Sequence, residues 1–368
     1  MTVHSLENTI LFVCISIEIQ YVVPQQPAIH FMPMEKLQMD RKKAALYKRL
    51  REHWSQFEHE ATIVENTLGA TNQVFRVNTE PAFYLRKYRT NEITRVQNEH
   101  ELLLQLSQNL DFVVSPFLTR HKSTFTKIGS HLYALFPEAN WQLINQDALS
   151  ESHAFQAGKT LAELHRHLAP FTSDKFPTIE LSWDKCAWVQ RLQKVITTIE
   201  SNGIEHTTDE WAFRRAQKQM RYLSDIKTTH TYRPKTQRTL IHGDYHHYNL
   251  FFDQQSNVCG IIDWDLLQNM PRAYEIARAC MYMFKLEKNK TIAFINGYMA
   301  VNHITQDQLH DGAKAWGIFA DHHVWALEAV YLNRNMSAKK FVPHTDFEPF
   351  MHQWLPIENA LFGLAHHQ

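Results

Sequence analysis

Apolar and polar positions alternate at short period through the first third of the chain and recur at helical spacing through most of the rest. A helical pattern rich in Lys, Arg, Leu and Ala over residues 35–57 is followed by alternating stretches at 62–64, 73–77 and 83–88 that predict strands. Residues 95–110 carry Leu102, Leu103 and Leu106 on one side and predict a helix; 112–136 predicts further strand, ending in the apolar run 132–136 before Pro137 and Glu138. From Ser150 onward helices dominate, opening with Phe155, Leu161, Leu164 and Leu168 and continuing over 183–199, 207–226, 272–284, 291–301, 306–331 and 347–364. One interruption stands out. Leu250-Phe251-Phe252 and residues 258–262 read as two short buried strands joined by the polar turn 253–257.

That hairpin concentrates candidate chemistry. His242-Gly243-Asp244 precedes Asn249 by four intervening residues, and the return strand ends at Asp263, with Asp265 just beyond. Closing the hairpin would bring Asp244, Asn249 and Asp263 into one small volume, where a carboxylate can take a proton while an amide and a carboxylate hold a hard cation. Each residue alone is also an ordinary turn or strand-end residue. His242, Asp244, His246 and His247 could instead ligate a transition metal, as in a metal hydrolase.

The joint spacing, His-x-Asp-x-x-x-x-Asn followed by Ile261-Ile262-Asp263, resembles the catalytic core of kinase-like phosphotransferases. Gly243 between His and Asp, Trp264-Asp265 after the strand, and the segment 271–277 (Pro-Arg-Ala-Tyr-Glu-Ile-Ala) resemble the aminoglycoside phosphotransferase family, which includes choline kinases and type II homoserine kinases. The resemblance covers roughly 61–277. It implies an α+β, protein-kinase-like two-lobe fold: an N-lobe antiparallel sheet with one main helix, then a largely helical C-lobe with a catalytic hairpin. It implies transfer of the ATP γ-phosphoryl group to a hydroxyl, with Mg2+ as the metal. Asp244 would orient the hydroxyl and accept its proton, His242 would shape the loop, Asn249 and Asp263 would hold Mg2+, and Asp265 would reach a second metal. On the third strand Arg86 and Lys87 point to opposite faces. The family's apolar-Leu-cation register selects Arg86 to meet the phosphates, in place of the usual Lys, and leaves Lys87 as the alternative. Glu99 would aim that cation, with Glu101 competing. Gly69 would serve the turn over the phosphates, and Asn72 matches a family Asn at that turn.

Composition narrows the setting. Lys plus Arg and Asp plus Glu balance at 38 each, which argues against a nucleic-acid partner or an anionic membrane surface. Four cysteines without C-x-x-C spacing fit a reducing, cytoplasmic compartment. From Gln306 to the end seven Asp or Glu stand against four Lys or Arg, with Trp316, Trp325, Tyr331 and Trp354 in the same region. At helical spacing such aromatics are ordinarily core; as a wall they would suit a cationic alcohol.

The domain reading is a 1–33 extension, a nucleotide-binding lobe over 34–138, and a catalytic and substrate-binding helical lobe over 139–368. Residues 10–23 are too short and too interrupted to span a bilayer, and no basic segment precedes them. The extension reads as a non-native start, with an arm packed on the first lobe as the alternative. The expected substrate is a small hydroxyl compound: an amino alcohol, homoserine-like or aminoglycoside-like. The rivals are a kinase-fold binding module without turnover and a protein Ser/Thr kinase, the latter lacking an Ala-Pro-Glu after Asp263. Oligomeric state is not legible.

Overall fold

A computed structural model of the chain describes residues 45–57, 62–66, 73–139 and 142–363. Two compact units divide the chain, residues 1–48 and 49–368. The helical stretch 45–53 (α1) is the described part of the helix expected over 35–57. The 1–33 extension, Gly69 and Asn72 lie outside the described residues.

In the second unit a five-stranded antiparallel sheet comes first, in the order β1-β2-β3-β5-β4: β1 Thr62–Asn66, β2 Gln73–Asn78, β3 Phe83–Lys87, β4 Thr126–Ile128 and β5 His131–Pro137. Its one long helix, α2 (Ile93–Leu106), buries Val96, Leu102, Leu103 and Leu106, the face its leucine spacing specifies. Strand β3 lies between β2 and β5, with Leu85 paired to Phe75 and to Leu135. The centre of the sheet therefore delivers its β3 side chains to fixed positions.

Helices follow, as the 3.6-residue spacing predicts. Helix α3 (Glu151–Leu168) starts at a capping box in which Ser150 and His153 bond reciprocally. Helices α4 (Lys185–Asn202) and α5 (Thr207–Ser224) form a hairpin with its own buried cluster around Leu192, Ile199 and Leu223. The expected strands at 250–252 and 258–262 appear as β10 (Leu250–Phe252) and β11 (Val258–Ile261), paired antiparallel with Leu250 opposite Ile261. Asp253 closes their turn, its carboxylate accepting from the backbone N–H of Gln255 and Asn257 at 2.8 Å. The short β6 (Gln142–Leu143) adds to β10. Strands β7 (Leu181–Ser182) and β8 (Thr231–Tyr232) pair with each other, and a further pair, β9 (Thr239–Ile241) with β12 (Gln268–Met270), holds the two ends of the 242–267 stretch together. Helices α6 (Arg272–Phe284), α7 (Lys288–Met299) and α8 (Gln306–Asp321) pack around these strands.

Two expectations are corrected. Residues 112–125 hold no strand; they touch β11 through a single parallel bridge, Val113 with Ile261, and the sheet's last hairpin begins only at Thr126. The helix predicted over 306–331 is two, α8 and α9 (Trp325–Tyr331). Gln219 Nε2 donates to the carbonyls of Asp321 and His323, and His322 lies stacked on Trp183 at 4.4 Å. Carbonyls met from outside the helix no longer need the next turn. Trp316 and Trp354 are core residues, Trp354 donating to Glu358 from α10 (Phe350–Leu361), so the four aromatics of this region form no common wall. Among the described residues no helix is long and apolar enough to cross a membrane.

Candidate active site

Alternation along β3 turns Arg86 inward and Lys87 outward. Lys87 Nζ donates to Gln73 Oε1 at 2.9 Å near the sheet surface. Arg86 is 8 % exposed, and its guanidinium meets Glu99 at 3.3 Å, Asp263 at 2.9 Å and Asp265 at 2.7 Å. Burial works against its charge, but Tyr88, Glu99, Asp265 and Asp263 outweigh it and hold the guanidinium protonated. Glu99 comes from the buried face of α2, whereas Glu101 is exposed and reaches only Lys175, at 3.8 Å. One guanidinium thus faces three carboxylates. Burial pushes Glu99 up to about 7 despite Arg86, and it raises Asp263 in the same sense, with Asp265 and Asp244 adding to the effect. The negative charge here exceeds what one cation neutralises, and its donors are hard oxygens. Among the described residues no three His, Cys, Asp or Glu side chains form a metal cage. One or two carboxylates and an amide are the set that holds a hydrated divalent cation shared with phosphates.

Asp263 sits at φ 64°, a left-handed conformation that a non-glycine residue adopts only at a cost. The loop that supplies Asp244 turns at Gly243, with φ 82°. A Cβ on Gly243 would lie 1.9 Å from the Leu266 carbonyl oxygen, so only glycine fits. His242 ties the two carboxylate-bearing segments together: its Nδ1 accepts from the Asp244 N–H at 3.1 Å, and its Nε2 faces the Ile262 carbonyl at 3.2 Å. Nε2 must then carry the proton. Burial lowers the ring to about 4 and keeps it neutral. With both nitrogens engaged by backbone, His242 has no lone pair for a metal, which removes the histidine-cluster hydrolase arrangement.

Asp244 is paired with Arg278, with the His246 ring at 3.4 Å and with Asn249, whose Nδ2 donates to its carboxylate at 3.0 Å and to its carbonyl at 2.9 Å. Burial opposes ionisation of Asp244, but Arg278, then His246 and His242, hold the carboxyl well below the usual range. Asn249 thus touches Asp244, and the charge of Asp244 adds to the rise of Asp263.

Reading the sequence did not find Arg278; it placed His246 only in a possible transition-metal cluster and Glu275 only within the family-like segment, without the parts they play around Asp244. Glu275 is fully buried; it accepts from the N–H groups of His242, at 3.1 Å, and Gly243, and pairs with His165 Nε2 at 2.9 Å. His165 in turn meets the Tyr298 hydroxyl at 3.0 Å. A signal was available: α6 is apolar almost all round, and two charges three residues apart on such a helix must have buried partners.

The sequence matches the profile described as "Phosphotransferase enzyme family" over residues 62–316. Among solved structures, a spectinomycin phosphotransferase in complex with ADP and spectinomycin is 15 % identical, covering 87 % of this chain and 98 % of its own, with a TM-score of 0.58. An aminoglycoside phosphotransferase from Alicyclobacillus acidocaldarius is 14 % identical, covering 83 % of this chain and 90 % of its own, with a TM-score of 0.50. These likenesses carry the two-lobe α+β fold. No curated protein sequence matches this chain.

Proposed function

The chain belongs to the phosphotransferase enzyme family, and we propose that it transfers the γ-phosphoryl group of ATP to a hydroxyl of a small molecule, with Mg2+ as the metal. The observation that carries this reading is the pairing of two differently charged half-sites. Arg86 is outnumbered by Glu99, Asp263 and Asp265, while Asp244 is held ionised by Arg278. The first half-site suits a divalent cation and phosphates, and the second suits a base.

In this reading 34–138 is the nucleotide lobe, and the end of β5 offers backbone to the adenine edge. Arg86, aimed by Glu99, meets the phosphates; Gly69 and Asn72 belong to the turn above them. Asn249 and Asp263 would hold the metal, and Asp265 would reach a second one; a divalent cation there would supply neutralisation of the phosphate charge. Asp244 orients the acceptor hydroxyl and takes its proton as the new O–P bond forms. The bond from phosphorus to the β–γ bridging oxygen breaks, and its electron pair leaves with ADP. His242 holds Asp244 at a fixed distance from the metal strand. Free thiols at Cys186 and Cys280 fit a cytoplasmic setting.

ADP release with Mg2+ and ATP, screened over amino alcohols, amino acids, hydroxy acids and aminoglycosides, tests the reading directly; no release above background from any of them would refute it. Two further outcomes are expected. ATP should raise the melting temperature only with Mg2+ or Mn2+ present, since a ligand at 100 times its Kd stabilises by about 2.7 kcal/mol. Asp263→Ala should abolish that metal dependence. A shift given by Zn2+ alone, with none from ATP, would contradict it. Arg86→Ala should weaken nucleotide binding at least tenfold, the order of one lost charge-assisted contact of ~1.5–3 kcal/mol. Lys87→Ala should change it little. Titration of ATP into both variants by calorimetry decides between them.

A further inference from the structure

Arg278 offers more than a partner for Asp244. A guanidinium is a planar fork with donors for two oxygens. Here Nη2 is spent on Asp244, while Nη1 is buried and meets no hydrogen-bond partner among the described residues. The group is fixed in place: its carbon lies 4.7 Å above the Tyr282 ring and 5.7 Å from the centre of the Trp316 ring. Trp316 comes from α8, which lies directly on α6 because Gly312 has no side chain; a Cβ there would come within 2.3 Å of that of Ala273. Trp316 is 1 % exposed, and its indole Nε1 is likewise buried without a partner among the described residues. The guanidinium and the indole ring packed near it, on neighbouring helices, therefore each keep one unsatisfied N–H donor, beside the carboxylate proposed to accept the hydroxyl proton. Buried donors are normally matched by acceptors. The neighbouring Tyr282 and His323 do not supply a negative charge: burial holds Tyr282 protonated despite Arg278, and it lowers His323 to about 4, leaving the ring neutral.

We propose that the hydroxyl compound phosphorylated here carries an anionic oxygen group, gripped by Arg278 Nη1 and Trp316 Nε1 next to the hydroxyl that faces Asp244. The inference rests on the phosphotransferase reading and names its acceptor class. It reverses the cationic alcohol that the acidic, aromatic composition of the C-terminal region suggests. The unmatched groups nearest Asp244 are N–H donors, and an ammonium group, which has no acceptor, could not satisfy them. A carboxylate or a phosphate would complete the fork and cover the indole N–H.

The experiment compares acceptors of similar size and different charge on the full-length protein: D-glycerate, glycerol 3-phosphate, glycerol and choline, with Mg2+ and ATP. At least one of the first two should exceed glycerol and choline about tenfold or more in kcat/KM, the order of one hydrogen bond to a charged group. Which of them leads separates a carboxylate from a phosphate. Trp316→Phe keeps the ring and removes the N–H; it should raise KM for the anionic acceptor about tenfold and leave kcat nearly unchanged. Arg278→Gln should lower kcat as well, because it also releases Asp244. Equal turnover of glycerol or choline, or an unchanged KM in a folded Trp316→Phe protein, overturns the inference while leaving the phosphotransferase reading intact. A binding arm decides the case in which nothing turns over: butyrate or methyl phosphate should raise the melting temperature of the wild type and tetramethylammonium should not. If neither anion has an effect, or if the one that does stabilises Trp316→Phe equally, the anion site is refuted.

Discussion

Asp244→Asn is expected to leave a folded, nucleotide-binding protein with turnover reduced by ~10²–10⁴-fold, the contribution of a positioned general base. The amide keeps the shape of the carboxylate and one oxygen for Arg278, but it cannot take the hydroxyl proton. The surroundings make a second demand. Arg278 Nη2 and Asn249 Nδ2 now donate to different oxygens of Asp244. An amide offers an oxygen to one of them and a competing N–H₂ to the other. Some stability should therefore be lost along with activity, because a buried guanidinium loses its counter-charge. Steady-state ADP release and the melting shift given by Mg2+ and ATP separate the two effects. A capping aspartate with no chemical role would tolerate Asn, another good turn former. Equal ADP release from variant and wild type would sink the assignment of Asp244 as base.

What could be read from the sequence was the part whose geometry is local. The stretch from His242 to Asp265 folds back through one short hairpin, so spacing along the chain converts into proximity with little freedom left. The same holds for Arg86 against Lys87, since strand alternation leaves two faces and burial selects one. The residues that hold this geometry were not legible, because their partners are chosen by packing between distant segments. Glu275 reaches back to His165 over 110 positions and to His242 over 33. The division of α8 from α9 depends likewise on Gln219, from another helix, taking the carbonyls at Asp321 and His323. Helical periodicity continues across that break and gives no sign of it. The turn carrying Gly69 and Asn72 lies outside the described residues, so its part in nucleotide binding rests on the family resemblance alone.

Glu275 should prove the most sensitive position for stability. Its carboxylate is fully buried, and it accepts from the N–H groups of His242 and Gly243 and from His165 Nε2. Burial opposes its charge, but His165, His242 and the Gly243 N–H outweigh that and hold it below its ordinary range, so it stays ionised at neutral pH. In Glu275→Ala three buried donors lose their acceptor, at about 1–3 kcal/mol for each group left unsatisfied. Against a typical total of ~5–15 kcal/mol, that loss approaches the whole stability of the protein. Glu275→Gln is the more informative change. Its oxygen can still satisfy one side, while its N–H₂ faces a donor, so an intermediate loss is expected. The loop it anchors carries Asp244, and Gly243 can turn there only in its left-handed conformation. The Gln variant should therefore lose kcat out of proportion to nucleotide affinity, which the proposed function assigns to Arg86. Chemical denaturation gives the stability of both variants, and ATP titration with ADP release gives the kcat-to-affinity split. If Glu275→Gln matches the wild type in denaturation midpoint and in kcat, the buried carboxylate does not anchor the loop.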